Sequence, residues 1–411
     1  MRASGAICNA IRWLSIIGIG EDGVDGLSPV ARRAIQDARL VVGGARHLDL
    51  ARSLISGEQL VWPSPMHQAF DLIAARCGEP VVVLASGDPF NYGIGKQLMQ
   101  RFSVEEMLCL PQPSAFSLAA ARMGWPLQDT MQISLHGRAL EGVIRHLSAG
   151  ARILVLCWDG TTPAKLAALL SARGMGGSRL TVLEAMGGPQ ERVRSAAANA
   201  FDLGIINPLN TVAVEVVVDP NAPIIGLTPG LTDDLFEHDG QLTKREIRAV
   251  TLSALAPRPG ELLWDVGLGA GSVAIEWLLR HSSLRAIGIE ARQDRADRAA
   301  RNALGLGTPE LKIVMGAAPT AFEGLDAPDA VFIGGGISDD KVFEEAWARL
   351  KPGGRLVANV ISLEGEARVA ALFRQHGGEL IRLAVSQAKP VGAMHGFKPA
   401  MPVTQWRVTR P

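Results

Sequence analysis

Short apolar runs bounded by glycine or by polar clusters recur along the whole chain, the signature of buried strands separated by turns. In the first half they predict strands at Leu14 to Gly18, Leu40 to Val42, Val81 to Leu84, Ile153 to Cys157, Thr181 to Glu184 and Thr211 to Val218. In the second half they predict strands at Leu262 to Val266, Ala286 to Glu290, Lys312 to Met315, Ala330 to Ile333, Arg355 to Val360, Glu379 to Val385 and Val403 to Val408, the last two a hairpin-like pair. Helical patterns fit between them, for example Ser272 to Arg280 and Asp339 to Leu350. This alternation predicts α/β architecture with mostly parallel sheets.

The pattern breaks most sharply between Asp219 and Gly230, where three prolines and two glycines interrupt any helix or central strand. A linker over residues 219–230 therefore separates a domain at 12–218 from one at 231–411, as a chain of 411 residues exceeds what one core usually organises. A weaker seam from Pro111 to Pro126 divides the first domain into two lobes.

Two glycine loops follow buried strands. In the second half, Asp265 and Val266 lead into Gly267-Leu268-Gly269-Ala270-Gly271 and a helix start. Glycines there allow positive φ and close approach of the backbone to a ligand, with the helix N-terminus facing it. Glu290, at the end of the next strand, suits hydrogen bonding to ribose hydroxyls, a feature shared by dinucleotide and S-adenosylmethionine sites. Asp265 tips the choice toward S-adenosylmethionine: its carboxylate suits an amino group and would repel a pyrophosphate. The G-x-G-x-G spacing is also shorter than the dinucleotide turn. A strand-end Asp also caps neighbouring helices, and that reading of Asp265 stays open. In the first half, the loop is Gly18-Ile19-Gly20-Glu21-Asp22-Gly23, and Ser86-Gly87-Asp88-Pro89 forms a second turn after a buried strand. Asp88 either faces a ligand or bonds its own backbone.

Composition narrows the classes. The formal net charge is zero and only one Tyr occurs, which argues against a nucleic-acid partner. Cys8, Cys77, Cys109 and Cys157 are scattered without a C-x-x-C pair, so no metal site is expected and a reducing cytoplasm fits. The run Leu14 to Ile17 flows into a glycine turn and reads as a first strand rather than a signal peptide; no stretch is long enough to cross a bilayer, so no membrane association is expected. A homo-oligomer is the expected assembly.

Several ordered motifs carry a family likeness. Ile16 to Gly23 with Leu27-Ser28-Pro29, Leu84 to Gly93, Pro113 to Ser117, Asp159 to Pro163, Glu184 to Gly188 and Asn210 to Val214 together resemble the tetrapyrrole methylase family. That likeness implies a two-lobed domain holding S-adenosylmethionine in the cleft between the lobes. Gly18, Gly20, Gly23, Gly87, Asp88 and Ser114 would face the cofactor, and Asp88 the substrate as well. The Leu350-Lys351-Pro352-Gly353-Gly354 turn resembles that of class I methyltransferases, and the second half, from Leu231, resembles the decarboxylating C15-methyltransferase domains of cobalamin biosynthesis, a likeness carried by Gln241 to Val250 followed by the glycine loop. It implies a seven-stranded, Rossmann-like class I methyltransferase domain in which Thr243, Gly267, Leu268, Gly269, Ala270, Gly271, Glu290 and Ala317 contact a second S-adenosylmethionine. Apart from the likeness, Thr243 and Glu246 form a capping box, Thr at the N-cap and Glu at N3.

Together the two likenesses imply methylation of a precorrin at C5 and C15, with decarboxylation of the ring-C acetate. The substrate is then a polycarboxylate tetrapyrrole, and cationic or backbone donors should meet it. Candidates are Lys244, Arg245 and Lys398, with His395 as a catalytic candidate and Gly335, within Gly334 to Gly336, leaving room for a flat macrocycle. A methyltransferase of another tetrapyrrole or of a protein, a non-catalytic sensor on the same folds, and an NAD-linked dehydrogenase are the alternatives. The intact loops with Asp265 and Glu290 weigh against the sensor.

Overall fold

The computed structural model describes residues 12–411; Cys8 lies outside them. The chain forms two compact units. One runs to Arg138 and resumes over Ser148–Ala222, and the other holds Ala139–Leu147 and Pro223–Pro411. The change of unit after Ala222 falls within the proline-rich segment.

Among the described residues, the first unit contains two five-stranded sheets. The first sheet is built from β1 (Leu14–Ile19), β2 (Leu40–Gly43), β3 (Glu58–Val61), β4 (Val81–Ser86) and β5 (Met107–Leu110), in the order β3-β2-β4-β1-β5. All its pairs are parallel. Central strands are covered on both faces. Leu14, Ile16, Val81 and Val83 belong to one core cluster and Ile17, Ile19, Val82 and Leu84 to another, which is why their sequences are uninterrupted apolar runs.

The second sheet consists of β6 (Met131–Ser134), β7 (Arg152–Leu156), β8 (Arg179–Glu184), β9 (Arg192–Ala197) and β10 (Asn210–Glu215), in the order β6-β7-β10-β8-β9. Only β6 and β7 pair in parallel; the other neighbours are antiparallel, contrary to the expectation of mostly parallel sheets. The short link from Glu184 to Arg192 is the physical reason for β8 and β9. A parallel pair needs a long crossover, whereas an antiparallel pair closes through a turn. Between the two sheets runs the seam, where Ser114 caps the helix Ala115–Met123 by accepting from Ser117 N, and Gly124, at φ +65°, ends it.

The second unit is a seven-stranded sheet of β11 (Leu262–Val266), β12 (Arg285–Glu290), β13 (Lys312–Met315), β14 (Ala330–Ile333), β15 (Arg355–Val360), β16 (Glu379–Leu383) and β19 (Val403–Thr409). Its order is β13-β12-β11-β14-β15-β19-β16, and only β19 runs antiparallel to its neighbours. Between β16 and β19 the chain makes an exposed hairpin, β17 (Ser386–Val391) with β18 (Met394–Pro399), whose strands pair only with each other. Trp264 and Trp406, wholly buried, share the main core.

A network centred on one buried side chain straps residues 230–243 to this unit. Arg248, wholly buried in the helix Arg245–Leu255, donates from Nε to Glu276 (2.5 Å), from Nη1 to Asp233 (3.1 Å) and the Thr243 carbonyl (2.5 Å), and from Nη2 to the Leu231 carbonyl. Glu276, equally buried, also accepts from Gly230 N and Leu231 N. With the Thr243 carbonyl held this way, the helix starts one residue later than expected. Lys244 takes the cap position with no side-chain cap bond, and the Thr243–Glu246 capping box does not form.

Removing one partner from a buried pair leaves the other charge uncompensated, at a cost of about 3–5 kcal/mol. Arg248→Met is therefore expected to lower unfolding stability by that amount, as measured by urea denaturation. Unaltered stability would mean that the strap is held by something else.

Candidate active site

In the second unit the carboxyl end of β11 enters Gly267-Leu268-Gly269-Ala270-Gly271 and the helix Ser272–Leu278. The three glycines have φ of +76°, +56° and +78°, a region that side chains disfavour. They alternate with Leu268 and Ala270, which are buried, the Leu268 side chain packing against Gly288 of β12. At Gly267 a Cβ would stand 3.3 Å from Gly335 N, which places the exposed Gly334–Gly336 turn directly beside the loop.

Two carboxylates complete the cradle. Asp265 is buried, and its Oδ2 accepts from Ala274 N at 3.0 Å, so it does cap the helix. Its Oδ1 is buried with no partner. Burial pushes the Asp265 carboxyl up to about 8, against the pull of the Ala274 N–H and helped by the charge of Glu290. Glu290 ends β12 and ties the loop to its strand, Oε2 accepting from Gly269 N (2.8 Å) and Oε1 from Arg292 N (3.0 Å). Its own carbonyl accepts from Gly316 N, which brings the exposed Ala317 to the same strand ends.

A glycine cradle that a Cβ would crowd, with an orphaned carboxylate oxygen at its base, fits a ligand bearing an ammonium and ribose hydroxyls. S-adenosylmethionine is such a ligand.

The strap adds a wall. Asn302, buried, donates to the Ala270 carbonyl of the loop and the Glu237 carbonyl of the strap, and accepts from Glu237 N. Thr243 is half-buried on this strap, while Lys244 and Arg245 are exposed where the helix begins. Lys244 Nζ stands 3.9 Å from Asp233. His395 and Lys398 sit on the exposed hairpin β17–β18, and among the described residues no hydrogen bond or ion pair joins either to the glycine loop.

In the first unit a cavity of about 430 Å³ is lined from both lobes. Gly20, Gly87 and Ser114 line it; Gly18, Gly23 and Asp88 do not. Gly18 is instead demanded by chain packing, since a Cβ there would come within 1.7 Å of the Gly87 carbonyl. Gly87, at φ +51°, in turn packs on the Pro113 carbonyl. Gly23 donates its N–H to Gly20 O in the turn. Asp88 is half-buried and not among the residues that line the cavity; its Oδ1 accepts from Phe90 N at 2.8 Å, the turn-stabilising arrangement.

The cavity also contains residues the sequence did not single out. Arg46 and His47, just past β2, line it together with Glu21 and Ser86. Arg46 pairs with Glu21 through Nη1 and donates from Nη2 to Ser86 Oγ (2.9 Å). His47 Nε2 lies 2.9 Å from Arg46 Nη2 and 2.8 Å from Ser86 Oγ. Burial first, and the Arg46 charge second, push the His47 imidazole down to about 4, so the ring is neutral at physiological pH. The only available signal was positional: Arg46 and His47 follow a strand end, where α/β folds place ligands.

The second unit, with its doubly wound sheet and its glycine loop between an orphaned Asp and a strand-end Glu, has the architecture of a class I methyltransferase, and the first unit is a two-lobed partner with its own cavity. Comparison with known proteins agrees. Residues 14–201 match the family of Tetrapyrrole (Corrin/Porphyrin) Methylases, and residues 234–410 match the Precorrin methyltransferase domain.

A precorrin-6Y C(5,15)-methyltransferase [decarboxylating] of Sinorhizobium sp is 54% identical over 398 residues, covering 97% of this chain and 96% of that protein. Its counterpart in Mycobacterium tuberculosis is 38% identical, covering 96% and 99%. A cobalt-precorrin-7 C(5)-methyltransferase of Salmonella typhimurium is 31% identical over 189 residues, 46% of this chain and 92% of that one. The chain belongs to the precorrin-6Y C(5,15)-methyltransferase (decarboxylating) family.

Proposed function

We propose that the chain methylates a precorrin at C5 in its first unit and at C15 in its second, where the ring-C acetate is also lost as carbon dioxide, with one S-adenosylmethionine bound in each unit. The observation that carries this reading is the pair of separate ligand cradles on a chain that matches its relatives end to end. A relative named for C5 methylation alone, about half this chain's length, supports the division of labour. Incubation with precorrin-6Y and S-adenosylmethionine is expected to give a product that has gained two methyl groups and lost carbon dioxide, read by mass spectrometry. A product without the loss of carbon dioxide would overturn the decarboxylating half of the reading.

The chemistry asks mainly for placement. A meso carbon of a reduced tetrapyrrole is an enamine-like nucleophile, and S-adenosylmethionine supplies an electrophilic methyl when bound. Holding reactants in line accounts for about 7–11 kcal/mol of barrier reduction in favourable systems.

In the second unit Asp265 Oδ1 takes the methionine ammonium and Glu290 the ribose hydroxyls. The backbone of Gly267 to Gly271, with Thr243 and Ala317, shapes the walls. Lys244 and Arg245, exposed where the strap enters its helix, are the candidates for substrate carboxylates, and the open Gly335 turn leaves room for the macrocycle; His395 and Lys398 join them as substrate-side candidates from the hairpin. In the first unit Gly20, Gly87 and Ser114 are the cofactor-facing residues. The exposed Val391, Met394 and Phe397 of the hairpin support a homo-oligomer, and sedimentation at graded concentration tests it. A cytoplasmic site of action is part of this reading, in keeping with scattered cysteines that show no paired spacing; no helix among the described residues is long and apolar enough to cross a membrane.

Glu290→Ala is expected to weaken cofactor binding in one unit only. Charge-assisted bonds contribute about 1.5–3 kcal/mol each, so a loss of at least about tenfold should follow. Titration calorimetry on the full chain should resolve one weakened and one unaltered binding event; two unaltered events would remove Glu290 from the site.

A further inference from the structure

We propose that Arg46 is the carboxylate-binding residue of the first unit's cavity, and that Glu21 holds in the free protein the place a substrate carboxylate takes. This rests on the reading of the substrate as a polycarboxylate.

The cavity wall is largely apolar, with Ile19, Leu84, Phe116, Leu156 and Met186 among its residues. Of the described residues that line it, Arg46 is the only Arg or Lys and Glu21 the only Asp or Glu. A polyanion entering this cavity therefore finds one cationic side chain, and that side chain is already paired.

The guanidinium is set up for an exchange. Its Nη2 edge is fixed to the protein by Ser86 Oγ and His47 Nε2, while its Nη1 edge faces only the Glu21 carboxylate. Arg cannot accept a hydrogen bond, so His47 Nε2 must be the acceptor and the ring must be neutral; it steers the fork without adding charge. The side chains of Arg46 and Glu21 are 39% and 21% exposed, so water reaches the pair and Glu21 can leave it without becoming a buried lone charge. Replacing one carboxylate by another keeps the charge of the cavity constant, which avoids the cost of desolvating an unpaired guanidinium.

Glu21 stands on the loop directly after Gly20. Across from it, Gly188 has no room for a side chain, because a Cβ there would come within 2.6 Å of Glu21 Cβ. The second lobe thus leaves a gap that Glu21 fills.

A purely structural clamp predicts that breaking either side of the pair harms the protein in the same direction. A placeholder predicts opposite signs. With the full chain, S-adenosylmethionine and precorrin-6Y, tandem mass spectrometry can follow methyl gain at C5 specifically. Arg46→Ala is expected to raise the precorrin KM of that step by about tenfold or more. Arg46→Lys should rescue it only in part, because a point charge cannot reproduce the fork. Glu21→Gln, which removes the competitor, is expected to lower the same KM several-fold.

The KM for S-adenosylmethionine should stay constant in all three. An unchanged or raised precorrin KM in Glu21→Gln, an unchanged one in Arg46→Ala, or a cofactor KM that moves with the precorrin KM would overturn the proposal. A parent protein that transfers no methyl group at all would count instead against the proposed function.

Discussion

Gly269→Asp is expected to abolish carbon dioxide release while leaving one methyl transfer intact. Gly269 has φ +56°, and its N–H donates to Glu290 Oε2 at 2.8 Å. A Cβ there would lie 3.7 Å from the Gln241 carbonyl, an ordinary contact, so the substitution has space. Its backbone penalty is about 1–2 kcal/mol, and Asp is among the residues that tolerate this region best. The unit should therefore fold. What changes is the cradle: a third carboxylate joins Asp265 and Glu290 where the ligand's backbone contacts belong. Like charges in a partly buried site repel, and the added bulk closes the approach.

Gly20→Asp is the converse in the first unit. Gly20 lines the cavity, and the only close contact of its Cβ would be the movable Asp22 carboxylate. The product should then lose carbon dioxide and gain a single methyl group, whereas the Gly269→Asp product should retain its carboxylate. Mass spectrometry separates the two. If the Gly269→Asp protein still releases carbon dioxide, decarboxylation does not belong to the second unit.

Much of the fold was legible because of where strands lie in their sheets. The boundaries of β11, β13, β14 and β15 coincide with their apolar runs. The first-unit strands left unidentified from the sequence were β3, β5, β6 and β9, and these are the edge strands of their two sheets. An edge strand has one partner and less cover, so no continuous apolar run is required of it: β3 reads Glu-Gln-Leu-Val and β9 begins Arg-Val-Arg-Ser. The hairpin β17–β18 is exposed along almost its whole length and escaped for the same reason.

The sites divide similarly. Loop residues constrained by positive φ leave a mark in the sequence, because only glycine serves well there; Gly267, Gly269 and Gly271 were read directly. Residues defined by tertiary partners leave none. Arg46 matters because β4 brings Ser86 beside it and the β1 loop brings Glu21; Arg248 because Glu276 is opposite; Asn302 because loop and strap meet on its amide. Asp88 lies between the two cases: its type and turn allowed either a ligand or a bond to its own backbone, and Oδ1 makes the backbone bond to Phe90 N.

Asp265→Asn should make the ligand-free second unit more stable at alkaline pH and at the same time unable to hold its cofactor. Asp265 titrates at about 8 in the folded protein and near 3.8 when unfolded. The folded state therefore binds the proton more tightly, and the stability this confers is complete below about pH 4, declines as pH rises and is gone above about pH 8. A shift of this size corresponds to something on the order of 5 kcal/mol across that window. Asn keeps the acceptor for Ala274 N and carries no charge at any pH, so the decline disappears. Its amide N–H₂ would occupy the orphan Oδ1 position, at about 1–3 kcal/mol for an unsatisfied donor, which is smaller than the gain at pH 8.

The cofactor sees the opposite sign. An ammonium beside Oδ1 favours the carboxylate, so binding to the unaltered protein should tighten as pH rises toward about 8 and release a proton below it. In Asp265→Asn the amide N–H₂ faces the ammonium instead, and both the affinity and the proton release should be lost in that unit. Urea denaturation at pH 5 and pH 8, with calorimetry in buffers of different ionisation enthalpy, measures the two effects. Cofactor affinity undiminished in both units of the Asn variant would show that the methionine ammonium does not sit on Asp265.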